Sequence, residues 1–164
     1  MVQGSGQVQR QAPLLAATGA SRGAFGQSVA HLIEIGLLER NPGYGHPLRP
    51  EFRLTHAGQE AAAIADKIQR ASSEDDQRLL RKSWTLPVLT TLQTQRHFND
   101  IKRNLQTITD RALSQSLKSM EANNWVHRDV DQNARPPRSI YRAVNTGDVI
   151  SQITAPEIRF FHHQ

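Results

Sequence analysis

Thr109-Asp110-Arg111-Ala112-Leu113-Ser114-Gln115-Ser116-Leu117-Lys118-Ser119-Met120-Glu121 is the stretch that decides how this chain is read. Leu113, Leu117 and Met120 recur at spacings of four and three, the apolar stripe of a helix with one buried face. Thr109 stands where an N-cap belongs, and Asn123-Asn124 supply a stop, since asparagine tolerates left-handed backbone. Upstream, Phe98, Ile101 and Leu105 give a shorter stripe, interrupted between Thr107 and Thr109. Two short helices around a tight turn are a helix-turn-helix pattern.

Downstream, Trp125 to Val130 and Ser139 to Val144 each alternate apolar and polar residues, which predicts two strands around a polar tip, Asp131 to Arg138. Pro136-Pro137 cannot donate to a ladder, so they belong to the tip. Helix, turn, helix and hairpin together predict a helix-turn-helix followed by a wing.

The same pattern occurs earlier. At an offset of 88, Ser21, Gln27, Ser28, Val29, Leu32, Leu37, Leu38 and Arg40 fall on Thr109, Gln115, Ser116, Leu117, Met120, Trp125, Val126 and Arg128. At an offset of 89, Phe52-Arg53-Leu54-Thr55 and Gly58 fall on Tyr141-Arg142-Ala143-Val144 and Gly147. Self-similarity at a fixed spacing predicts a tandem array. The first copy then has a short helix at 12–17, a long one at 21–35 stopped by Gly36, strands at 37–40 and 51–54, and a tip from Asn41 to Pro50.

An Ala-rich helix over 57–70 links the copies. Ser72 to Asp76 breaks it, and a helix over 77–93 follows, with Pro87 expected to kink or restart it. The counterpart of that last helix would fall at or before the first residues, so the first copy is expected to lack its opening helix. The expected fold class is mainly α with small β-hairpins (α+β), as tandem winged helix-turn-helix domains. The expected boundaries are 1–70 for the first copy with its linking helix, 71–77 for a linker, 78–153 for the second copy and 154–164 for a tail.

Charge is divided unequally. Residues 1–77 hold seven Lys/Arg against eight Asp/Glu, a net of −1, whereas residues 78–147 hold twelve against five, a net of +7. An anionic partner is expected to meet the second copy. No apolar run approaches the roughly 18 residues needed to cross a bilayer, and Met1 to Gly6 lacks the apolar core of a signal peptide. A cytoplasmic, nucleoid-associated protein is therefore expected. With no cysteine, disulfides, thiolate catalysis and Cys-ligated zinc are excluded. His31, His46, His56, His97 and His127 lack carboxylate or thiolate partners at metal-ligand spacing, and His162-His163 lies in the tail, so no metal is expected. No Gly-rich phosphate loop, nucleophile elbow or paired-carboxylate constellation is present; neither enzyme activity nor a cofactor is expected.

The second copy resembles the HxlR family of bacterial transcriptional regulators, winged helix-turn-helix proteins related to MarR-type regulators. The resemblance rests on Trp84-Thr85-Leu86, Val88-Leu89, Arg96, Phe98-Asn99-Asp100-Ile101 and Ile108-Thr109, then Arg111, Leu113-Ser114, Ser116-Leu117-Lys118 and Met120-Glu121. It continues through Trp125-Val126, Arg128, Pro136-Pro137-Arg138, Tyr141 and Gly147. The first copy matches more thinly, through Leu32-Ile33, Gly36-Leu37-Leu38, Arg40, Leu54-Thr55 and Gly58. The resemblance implies double-stranded DNA as partner and leaves open a homodimer and a small-molecule effector. Family members usually carry one winged helix per chain and dimerise through terminal helices; two copies here, and a final helix interrupted by Pro156, depart from that pattern.

In a helix-turn-helix the start of the second helix enters the major groove. That assigns Thr109, Arg111, Ser114, Gln115 and Lys118 to DNA, with Arg111 suited to guanine, Gln115 to adenine and Lys118 to phosphate. Asp110 is open between accepting from cytosine, capping the helix and pairing with Arg111. Arg135 and Arg138 are the wing candidates. The first copy offers Ser21, Arg22, Gln27 and Ser28, with His31 beside them, and Arg49, His46 and Arg53 near its wing. The rival expectation is an assembly module built of winged helices that does not read sequence.

Overall fold

The computed structural model describes residues 9–41 and 51–155, with only the backbone of Gln9. The tip of the first hairpin with His46 and Arg49, the start of the chain where the missing helix was sought, and the tail with Pro156 and His162-His163 lie outside the described residues. The chain divides into two compact units, Met1–Ala65 and Asp66–Gln164.

In the first unit, strand β1 (Gln9–Arg10) leads into helices α1 (Gln11–Thr18) and α2 (Arg22–Glu34), then strands β2 (Leu38–Arg40) and β3 (Glu51–Leu54); helix α3 (His56–Ala71) starts in this unit and runs on past Ala65 into the second. Its antiparallel sheet has the order β1-β3-β2. Phe25 and Phe52 are buried aromatic side chains within the unit.

The second unit continues through α4 (Gln77–Leu80) and α5 (Thr85–Thr91), then β4 (Arg96–His97), α6 (Phe98–Leu105) and α7 (Asp110–Ala122). Strands β5 (Val126–Asp131) and β6 (Arg138–Ala143) and helix α8 (Asn145–Thr154) complete it. Its sheet has the order β4-β6-β5, again antiparallel. The fold class is α+β, mainly helical with small antiparallel sheets.

Helix α5 is the hub of this unit, packing against α6, α7 and α8. Val88, Leu89, Ile101, Leu113, Met120 and Ile150 are fully buried there. Each such side chain contributes about 1.5–3 kcal/mol by leaving water. The buried Ser151 hydroxyl donates to Leu89 O at 2.8 Å, so α8 meets α5 without an unpaired polar group.

Two expectations need correction. The helix over 77–93 is broken at residues 81–84, upstream of Pro87, and restarts at Thr85. Pro87 is the third residue of α5, where the missing N–H has no intrahelical acceptor to lose. Thr85 Oγ1, buried, donates across the break to Leu79 O at 2.7 Å. The second correction is a third strand in each sheet, β1 and β4, where only hairpins were expected.

Two glycines fix how the closing helices sit on the sheets. A Cβ at Gly147 would collide with the carbonyl oxygen of Trp125 and lie 2.8 and 2.9 Å from its C and Cβ. A Cβ at Gly58 would collide likewise with Leu37 O.

Candidate nucleic-acid interface

Helix α7 starts where its sequence says it should. Thr109 is extended, and its Oγ1 accepts from Ala112 N at 3.2 Å, satisfying one of the first free N–H groups. Leu113, Leu117 and Met120 go into the core, which turns Arg111, Gln115 and Lys118 outward. Spacings of four and three place those three side chains along one exposed face. Ser114 lies beside them, half-buried. Among the described residues Arg111, Gln115 and Lys118 have no side-chain hydrogen bond or ion pair, so their donors are available to a ligand.

Asp110 pairs with Lys102 of α6 rather than Arg111: Nζ to Oδ1 is 2.6 Å. Both side chains are substantially exposed, so the pair contributes at most about 1 kcal/mol to stability. Its effect is local neutralisation of a carboxylate at the front of the exposed face. Further along, Lys82 Nζ donates to Ser119 Oγ at 2.6 Å, tying the break between α4 and α5 to α7. Sequence reading missed Lys102 and Lys82 because both contacts cross between elements, and periodicity carries no signal for that.

The end of α7 is anchored as well. Asn124 takes φ +56°, Trp125 is buried, and its indole N–H donates to Asp76 Oδ1 at 3.2 Å. Asp76 also accepts from Ser73 N at 2.7 Å and Ser73 Oγ at 2.8 Å. The Ser73 backbone N–H holds its carboxyl below the usual carboxylate range; burial opposes this, and the Ser73 hydroxyl and the indole reinforce it.

The hairpin of β5 and β6 is paired from Val126–Ala143 to Asp131–Arg138. Arg135 in the tip and Arg138 at the first position of β6 are exposed and carry no side-chain partner among the described residues. Arg128 is held in the ladder by Ser139 Oγ, at 3.0 Å from Nε and 2.8 Å from Nη2. At the root of the tip, His97 Nε2 lies 3.4 Å from Asp131 Oδ2 and its Nδ1 3.2 Å from Ser139 O. A cleft of about 490 Å³ opens between α6 and this hairpin, lined by Asn99, Arg103, Arg138 and Tyr141 among others.

In the first unit Ser21 caps α2, its Oγ accepting from Ala24 N at 3.2 Å. Arg22, Gln27 and Ser28 are exposed on that helix. Arg53 is occupied by Glu39 at 2.6 Å, and His31 faces Glu34 at 3.7 Å. No cluster of three or more His, Asp or Glu able to hold a metal occurs among the described residues. No helix among them is long and apolar enough to cross a membrane.

Residues 79–158 match the HxlR-like helix-turn-helix family. The matched stretch takes in α5 to α8 and the whole hairpin, just under half of the chain. Among similar solved structures are the reduced form of the transcriptional regulator YodB from B. subtilis and a "possible HxlR family transcriptional factor" from Thermoplasma volcanium GSS1. The former has 25% identity and a TM-score of 0.45, covering 54% of this chain and 85% of that one. The latter has 17% identity and a TM-score of 0.45, covering 76% and 94%. A comparison with curated proteins finds no match.

Proposed function

We propose that this chain is a sequence-specific regulator of transcription that binds double-stranded DNA, with α7 in the major groove and the β5–β6 wing on the backbone or in the minor groove. The observation that carries this is the exposed row Arg111, Gln115 and Lys118 on a helix whose opposite face is locked into the core. Thr109 and Ser114 border the row, and Arg135 and Arg138 supply the wing contacts. On this reading Arg111 addresses guanine O6 and N7, and Gln115 adenine; Lys118 and the wing arginines meet phosphate, where the net charge of +7 over 78–147 assists.

We further propose that the first unit is a second winged-helix copy. In its support, Gly36 at φ +75° answers Asn124 at φ +56°, both 88 residues apart and both at the exit of the long helix. Leu37 N donates to Leu32 O and Trp125 N to Met120 O, each at 2.9 Å. Thr55 N donates to Leu37 O and Val144 N to Trp125 O, and the two buried glycines meet those same carbonyl residues. On this reading Ser21, Arg22, Gln27, Ser28 and Arg49 are the first copy's contribution to DNA. The chain then prefers an asymmetric site, and a homodimer would lengthen it to a pseudo-palindrome.

The test is binding to random duplex at several salt concentrations, then to a selected sequence. A specific reader gains a ratio of roughly 10³ or more for the selected duplex. Steep salt dependence with no such ratio refutes the proposal. It would favour the second reading, an assembly module, for which Leu32, Ile35 and Leu54, 37%, 50% and 42% exposed on the first unit, offer an apolar surface.

A further inference from the structure

We propose that the two long helices are unequal readers: α7 carries the sequence preference, and α2 contacts the duplex without choosing among sequences. This rests on the DNA-binding reading above and deepens it. The caps fix which positions correspond, because Ser21 Oγ with Ala24 N and Thr109 Oγ1 with Ala112 N make the same bond at the same 3.2 Å. Asp110, Arg111, Ser114, Gln115 and Lys118 therefore correspond to Arg22, Gly23, Gly26, Gln27 and Ala30. Three side chains of α7 able to hydrogen-bond a base edge or phosphate are replaced in α2 by residues with none.

Among the described residues of the first unit nothing calls for those glycines. A Cβ at Gly23 or Gly26 would meet no atom within 4 Å, and neither has positive φ. Glycine within a helix is unfavourable, so these positions are neither packed closely nor bent; they are a bare outward face. Of the α7 set only the glutamine is kept, and Gln27 has no long neighbour at the Gly23 or Ala30 positions to hold it in register against a base pair. At the first helical position the charge is reversed, Arg22 for Asp110. An exposed guanidinium at a helix start serves a phosphate, which carries no sequence information.

The experiment uses the full chain. Duplexes are selected from a random pool, and the wild type and the variants Arg111→Ala, Gln115→Ala, Gln27→Ala and Arg22→Ala are compared on the selected and a scrambled duplex. All four positions are exposed, and circular dichroism checks the fold of each variant. The wild type is expected to select one contiguous element per chain. Arg111→Ala and Gln115→Ala should each cut the selected-to-scrambled ratio by about 5- to 150-fold. Gln27→Ala should leave that ratio unchanged, and Arg22→Ala should weaken both duplexes alike. A ratio or selected sequence altered by Gln27→Ala or Arg22→Ala overturns the inequality while sparing the DNA-binding reading. Enrichment of no duplex at all overturns both.

Discussion

Replacing Gly147 by alanine is the sharpest test of how the second unit is closed. The added Cβ would collide with Trp125 O and lie 2.8 and 2.9 Å from Trp125 C and Cβ, all on or next to backbone that cannot rotate away. Ordinary carbon contacts need about 3.5 Å or more, so α8 and β5 must separate by roughly 0.6 Å or more. One bond lies across that gap, Val144 N to Trp125 O at 2.9 Å, and a shift of α8 also pulls on the bond that ties it to α5, Ser151 Oγ to Leu89 O at 2.8 Å. Overpacking costs about 1–3 kcal/mol, and weakening a buried hydrogen bond adds about 1 kcal/mol. The expected loss is then about 2–4 kcal/mol, a fall of roughly 10–30 °C in midpoint for a unit of this size. Trp84 and Trp125 are the chain's two tryptophans and both lie in the second unit, so fluorescence during urea or thermal unfolding reads that unit. Gly26→Ala is the control: with open space at its Cβ it should stabilise α2 by about 0.5–1 kcal/mol, seen as slower hydrogen exchange over 22–34. A fluorescence midpoint for Gly147→Ala within about 0.5 kcal/mol of the wild type would show that the close approach does not dictate glycine.

Three further outcomes are expected. Thr109→Ala removes the cap of α7 and should lower stability by about 1 kcal/mol in chemical denaturation, with Thr109→Ser close to the wild type; equal losses in both would exclude capping as the cause. The lowered pKa of Asp76 means its stabilisation is present above the ordinary carboxylate range and is lost as pH falls through the lower folded value. Asp76→Asn should therefore be less stable than the wild type at neutral pH, with the gap closing on acidification, and a gap constant from about pH 6 to about pH 3 would contradict this. A double-mutant cycle on Lys102 and Asp110 should give a coupling under about 1 kcal/mol that shrinks in salt. A larger, salt-independent coupling would mean the pair is structural.

Much of this arrangement was legible because it is local. The stripe Leu113, Leu117, Met120 placed α7, Thr109 capped it, and Asn124 ended it with positive φ. What escaped is what depends on distant partners. Strands β1 and β4 have two residues each, too few for alternation to register, and exist because β3 and β6 offer them an edge. The break at 81–84 has no glycine or proline within it; Thr85 and Leu79 close it through a buried bond that spacing cannot reveal. Of the candidate interface, the outward positions Arg111, Gln115 and Lys118 followed from the inward ones, whereas the partner of Asp110 needed the packing of α6 against the turn.

On the proposed reading of the first unit as a second copy, the spacing between corresponding residues drifts along the chain. Gly19 and Gln106, which end α1 and α6 with positive φ, are 87 apart; the caps Ser21 and Thr109 are 88 apart; Phe52 and Tyr141, each paired to the short outer strand, are 89 apart. Each step of one residue falls in a connection, first in the turn between the helices and then in the hairpin. On that reading the second unit is a worked example of how the first can be lengthened without moving its frame. One residue placed between Gly19 and Ala20 would only bring that turn to the length of its counterpart, which makes it the place to seat a spectroscopic label in the first unit.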